Sequence, residues 1–253
     1  MFNLVILVVL DALYKRETVY SRAAQGHILS AALGALLIAF AGFSLLLHNA
    51  GISPAIGHVG LYSPLIVLVY ISAMRAVHRY EQRTLDAYTE ASTERYPQAT
   101  LRQAITGYTL AAIAVIAVGC WLPFVAADIA DWGQSFVGTL LVAAVTSAPK
   151  VAVTIAALRI GAIDMAIANL LGSNLFNILI LAIDDLFYTK GPLLANVDSS
   201  HAITVFTEIM MSTLAVVGFI FRPQRRAVLK LTWISLGLLL LYILNTWILF
   251  QHG

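Results

Sequence analysis

The sequence predicts an all-α, polytopic membrane protein: half a helix, then seven full transmembrane helices, built on an internal repeat. Three observations carry this. Hydrophobic residues make up 60% of the 253-residue chain and charged residues only 11%, against about 25% charged residues in ordinary globular domains. Seven apolar runs are long enough to cross ~30 Å of hydrocarbon, which takes about 20 helical residues each. Finally, residues 1–14, MFNLVILVVLDALY, return at 175–188 as LFNILILAIDDLFY, with Phe, Asn, Ile, Leu, Asp and Tyr at the same offsets.

Residues 1–14 are too short to span a membrane alone. A signal peptide would carry basic residues before its apolar core and a small-residue cleavage site after it; here Lys15 and Arg16 follow the core. The full spans fall at about 28–48, 60–78, 104–127, 135–158, 162–187, 201–221 and 229–250. The second copy of the repeat is led into by a long segment dotted with polar residues, whereas the first begins at Met1. The front of the first repeat is therefore expected to be absent. Three units result: 1–78 as the remainder of the first repeat, 79–103 as a cytoplasmic linker, and 104–250 as the second repeat.

The linker mixes charges of both signs and reads as solvated and partly helical. Its acids Glu81, Asp86, Glu90 and Glu94 lack EF-hand spacing. Cys120, alone in an apolar stretch, excludes an intramolecular disulfide and reads as a buried thiol. A formal net charge of +2 does not suggest nucleic acid as a partner; the lipid bilayer is the expected one.

Basic residues gather in alternate loops: Lys15, Arg16 and Arg22; then Arg75, Arg79, Arg83, Arg95 and Arg102; then Arg159; then Arg222, Arg225, Arg226 and Lys230. Lys190 is the exception. The positive-inside rule places those loops in the cytoplasm, most simply across the cell membrane, and leaves the C-terminus outside. Residues 1–14 and 175–188 then run in opposite directions, the arrangement of inverted-repeat transporters.

Polar groups inside spans are costly and mark function. The richest stretch is 142–177. Pro149 cannot donate its backbone N–H and crowds the carbonyl of Val145, so a kinked helix there would expose carbonyl oxygen beside the hydroxyls of Thr146 and Ser147. Such oxygens suit hard cations. In the next span Asn169, Ser173 and Asn177 recur every four residues on one helical face, and Gly172 would let another backbone approach. Hydrogen bonding between helices is the competing explanation of the same residues.

VTSAPK (145–150), followed by DMAIANLLGSNLFN (164–177), resembles the second alpha-repeat of the calcium/cation antiporter superfamily, the sodium/calcium exchanger membrane region. That family's pattern reads G-T-S-x-P-E and then, after a helix and turn, G-N-x-x-G-S-N-x-F-N. The resemblance implies an inverted-repeat antiporter fold, here truncated at the N-terminus. It implies exchange of Na⁺ or H⁺ against Ca²⁺ by alternating access, with no resident cofactor and no enzyme activity. Carried over by position, it puts cation ligands at Thr146, Ser147, Ser173 and Asn177, with Asn3 from the first repeat. Ca²⁺ or Na⁺ would be held there.

The family's acidic ligand falls on Lys150. An ammonium has three donors and no acceptor, so Lys150 cannot ligate a cation. It reads instead as a tethered cation within the site, paired with an acid from the missing repeat or from a second membrane chain; a degenerate copy that no longer transports is the competing reading. Val145 stands in place of the family's Gly, and Ala168 replaces another. Asp164 opens its helix, where an acid meets the N-terminal dipole. Asp11 and Asp185 hold equivalent positions near helix exits and read as solvated at the interface. Two functions remain: a cation antiporter, or a non-transporting subunit joined to another chain. H-E-x-x-H and G-x-S-x-G are absent, which sets an intramembrane enzyme aside.

Overall fold

The structure, a computed structural model, describes residues 1–88, 100–128, 143–227 and 231–252. In chain order its helices are α1 (Phe2–Leu13), α2 (Val19–Arg22), α3 (Gln25–Asn49), α4 (Tyr62–Tyr88), α5 (Leu101–Asp128), α6 (Ala143–Arg159), α7 (Ile163–Phe187), α8 (His201–Phe221) and α9 (Trp233–His252). Residues 129–134 and the 135–142 part of the expected 135–158 span, residues 89–99 of the linker, and Lys230 lie outside the described residues. Among the described residues five helices are long and apolar enough to cross a membrane: α3, α5, α7, α8 and α9. The described part of α6 is 17 residues long, and the apolar stretch of α4 meets Arg75 and Arg79 before the helix ends.

Leu4, Ile6, Leu7 and Leu10 of α1 are at most 2% exposed, packed with Ile167 and Leu170 of α7, Met211 and Phe219 of α8, and Ile234 and Leu238 of α9. The half helix of the sequence reading thus lies inside the bundle. A second cluster joins Leu37 of α3, Ile66 of α4 and Leu175 of α7. Lipid is as apolar as these side chains, so close fit rather than transfer from water holds such contacts. Two glycines make that fit possible. A Cβ on Gly42 would stand 2.2 Å from Cγ1 of Val205, where α3 meets α8, and one on Gly218 would stand 2.7 Å from Cδ1 of Tyr20. Gly172, where close approach was expected, would meet nothing within 4 Å among the described residues: the close crossings fall on other helices. Cys120, expected to be buried, is exposed, because α5 keeps its sides open along nearly its whole length, as with Tyr108 (78% exposed) and Trp121 (65%).

The loops pack in two groups. After α1, Thr18 donates its hydroxyl to the Pro223 carbonyl at 2.6 Å, Arg222 reaches the Ala23 carbonyl at 3.3 Å, and Arg226 reaches the carbonyls of Tyr14 and Glu17. The basic loop after α1 therefore meets the basic loop after α8. Tyr20, buried between them, accepts from or donates to Ser235 at 3.1 Å, and burial pushes its phenol above the ordinary range, so it stays neutral. The other group contains a two-residue hairpin, β1 (Ala55–Ile56) with β2 (Val59–Gly60), turning on Gly57 at φ +65°. It meets the last turn of α7, where His58 reaches the Leu186 carbonyl at 3.1 Å, and beside it the Leu194 N–H of the segment after α7 reaches the Tyr62 oxygen of α4 at 3.1 Å.

Asp11 and Asp185 correct the sequence reading, since both are 0% exposed. Asp185 accepts from the N–H groups of Gly60 (2.9 Å) and Leu193 (2.7 Å) and from the hydroxyls of Tyr62 and Ser63, both at 2.5 Å. Asp11 accepts from the N–H groups of Val19 (3.3 Å) and Thr232 (3.0 Å) and from the hydroxyls of Thr232 (3.1 Å) and Ser235 (2.7 Å). A carboxylate saturated in this way needs no solvent.

Candidate functional site

α1, α6 and α7 meet at the start of α1. Asn3 lies one residue into α1 and is 3% exposed. Its amide donates through Nδ2 to Oδ1 of Asn174 at 2.8 Å. Its own oxygen faces α6, where Nζ of Lys150 approaches Oδ1 at 3.4 Å, the long end of hydrogen-bonding distance. The polarity runs one way, from Lys150 to Asn3 to Asn174. An amide can receive an ammonium at its oxygen and pass a donor onward from its nitrogen.

Local sequence explains each position. α7 buries Ile163, Ala166, Ile167, Leu170, Leu171, Asn174 and Leu175, the i, i+3, i+4 stripe of a packed helix. Asn174 is the polar member of that stripe and, at 7% exposed, needs a partner. α6 continues as helix through Pro149. Proline has no N–H, so the Val145 carbonyl lacks its usual donor at that step.

The structure brings two of the sequence-predicted site residues together, Asn3 and Lys150. Ser147 is buried on α6 at 4% exposure. Ser173 is half-buried and donates its hydroxyl to the Asn169 carbonyl of its own helix at 2.7 Å. Thr146 and Asn177 are exposed. At the start of α7, Asp164 lies 3.2 Å from Nε2 of His27. Among the described residues no group of three or more His, Cys, Asp or Glu is placed to hold a metal. The donor set of the junction is one ammonium and two amides, so it carries positive charge where a cation site carries negative.

Two residues escaped the sequence reading. Asn174 lies inside the quoted motif, next to Ser173, and its inward direction is set by the packing of α7. Glu208 stood in plain view as an acid within the apolar run 201–221. In the structure it is 6% exposed and pairs with the Met1 ammonium.

A family described as sodium/calcium exchanger protein matches residues 103–251, more than half of the chain. No curated protein and no solved structure matches it.

Proposed function

Because the chain belongs to the sodium/calcium exchanger protein family, we propose that it is a cation-exchanger-like integral membrane protein whose Lys150 ammonium takes the place of a bound cation, so that the chain by itself does not exchange Ca²⁺. The observation that carries this is the approach of Lys150 Nζ to Asn3 Oδ1. An ammonium there satisfies the amide oxygen a cation would use. Its charge repels a divalent ion, at 4 Å and an effective dielectric constant of about 20, by about 4 kcal/mol per unit of ionic charge.

The inverted-repeat reading has support of its own. Asp11 and Asp185 occupy the same place in the two copies, and their bonds correspond. Each takes the N–H eight residues downstream, Val19 or Leu193. Each also takes an N–H and, three residues later, a serine hydroxyl at the entry of a helix far along the chain: Thr232 and Ser235 for Asp11, Gly60 and Ser63 for Asp185. The exit of each repeated helix is thus tied to the entry of a late helix in the other repeat. Contact between the basic loops after α1 and α8 supports placing both on the cytoplasmic side, with the C-terminus outside.

The test is uptake of radiolabelled Ca²⁺ into vesicles containing the purified chain, driven by an outward Na⁺ gradient. Uptake at the level of protein-free vesicles is expected; robust Na⁺-driven uptake would sink the proposal.

The exposure of Thr146 and Asn177 favours a second reading, in which helices of another membrane chain cover these polar positions and complete the site. Copurification of a discrete membrane partner, lost on Asn177→Leu, would support it.

A further inference from the structure

We propose that the seam between the loop after α1 and the loop after α8 docks the headgroup of an anionic phospholipid, held by Lys15, Arg16 and Arg225. Uncompensated charge carries this. Segments 15–22 and 222–227 contain six basic residues and a single acid, Glu17. Glu17 is already taken, since Nη2 of Arg22 donates to its Oε1 at 2.6 Å. Asp11, at the root of the seam, is fully buried and holds its own four donors. Lys15, Arg16 and Arg225 are exposed and make no ion pair among the described residues.

The fold presses these charges together. Arg226 donates to the carbonyls of Tyr14 and Glu17, and Thr18 donates to the Pro223 carbonyl at 2.6 Å. Lys15 and Arg16 therefore stand on one lip of the seam and Arg225, next to Arg226, on the other. Carbonyls accept hydrogen bonds without neutralising charge, so the cations still repel one another, and a bound anion relieves that repulsion. An arginine fork matches two oxygens of a phosphate, and a lysine adds a compact charge on a flexible stem.

The apolar surroundings select a lipid over a soluble anion. Leu13 at the end of α1, Phe221 at the end of α8 and Trp233 at the start of α9 are all exposed. The rings of Phe221 and Trp233 meet edge to face at 6.1 Å. The N–H of Thr232, the neighbour of Trp233, binds Asp11 at 3.0 Å, which brings this aromatic pair to the end of α1. Exposed aromatic rings at helix ends mark headgroup level, so the basic lips lie where phosphates sit and the apolar side chains where acyl chains begin. In the topology proposed above these loops face the cytoplasmic leaflet, where anionic lipids attract basic segments. The inference does not depend on the absence of Ca²⁺ exchange, and its test contains no Ca²⁺.

The full chain in detergent is titrated with phosphatidylglycerol and with phosphatidylcholine of the same acyl chains, and bound lipid is counted by native mass spectrometry. Phosphatidylglycerol is expected to bind at least about fivefold tighter, the gain from one well-placed basic residue at an anionic surface. Lys15→Gln, Arg16→Gln and Arg225→Gln together should bring the ratio near one, and Arg75→Gln, exposed on α4, should keep it. Equal affinity for the two lipids, or a preference that survives the triple substitution, overturns the proposal. A second readout needs no variant: acetylation of wild-type lysines in mixed micelles, mapped by mass spectrometry. Phosphatidylglycerol is expected to slow labelling of Lys15 more than that of the exposed Lys190, relative to phosphatidylcholine. Equal slowing at the two lysines, or none at Lys15, overturns the proposal.

Discussion

Asp11 and Asp185 stand 174 residues apart and make the same bonds, each binding the backbone N–H eight residues ahead, at 3.3 Å from Val19 and 2.7 Å from Leu193. Each is fully buried with four donors around it. These carboxylates therefore fasten helix ends and loops.

Removing either should be costly. Asp185→Ala strands two backbone N–H groups and two hydroxyls, and Asp11→Ala strands a comparable set. We expect each to lose about 3 kcal/mol or more, read as a fall in Tm of the full chain in detergent. A loss confined to one of the two would contradict their equivalence.

The glycines separate by what a methyl would meet. Gly218→Ala presses on the Tyr20 ring at 2.7 Å and on Ile234 at 3.0 Å, and should cost about 1–3 kcal/mol. Gly172→Ala meets nothing within 4 Å among the described residues and should be neutral or stabilising by up to about 1 kcal/mol through helix propensity. Melting temperatures of the two variants check the order.

The asparagines of α7 should differ as sharply. Asn174→Ala leaves the buried Asn3 amide without its acceptor and should cost about 1–3 kcal/mol. Asn177→Ala, at an exposed position, should stay within about 0.5 kcal/mol. Equal effects would mean that α7 is rotated from the orientation seen here.

That contrast marks what was legible in the sequence. Long apolar runs report their own limits: 201–221 is α8 to the residue, and 162–187 differs from α7 by one. The echo of residues 1–14 pointed to Asn3, and the resemblance to position 150, because both depend on order along the chain. Which asparagine of 164–177 faces inward depends on rotation of the helix. Residues four apart drift by about 40° per step at 3.6 residues per turn, so a stripe read from spacing leaves the inner edge of the face open. The burial of Asp11 and Asp185 was hidden for another reason. Most of their donors come from segments more than 120 residues away, and no local pattern announces them. Glu208 needed no structure to be noticed, only the rule that an acid in a span asks for a partner.

The central claim is that the Lys150 ammonium sits where a cation would, and direct Ca²⁺ binding tests it most simply. Purified wild type and Lys150→Glu are titrated with Ca²⁺ in detergent by calorimetry. Reversing the charge turns repulsion into attraction, so the account predicts no measurable binding by wild type and a Ca²⁺ affinity at least about tenfold higher in Lys150→Glu. Ca²⁺ binding by wild type as tight as by Lys150→Glu would contradict it.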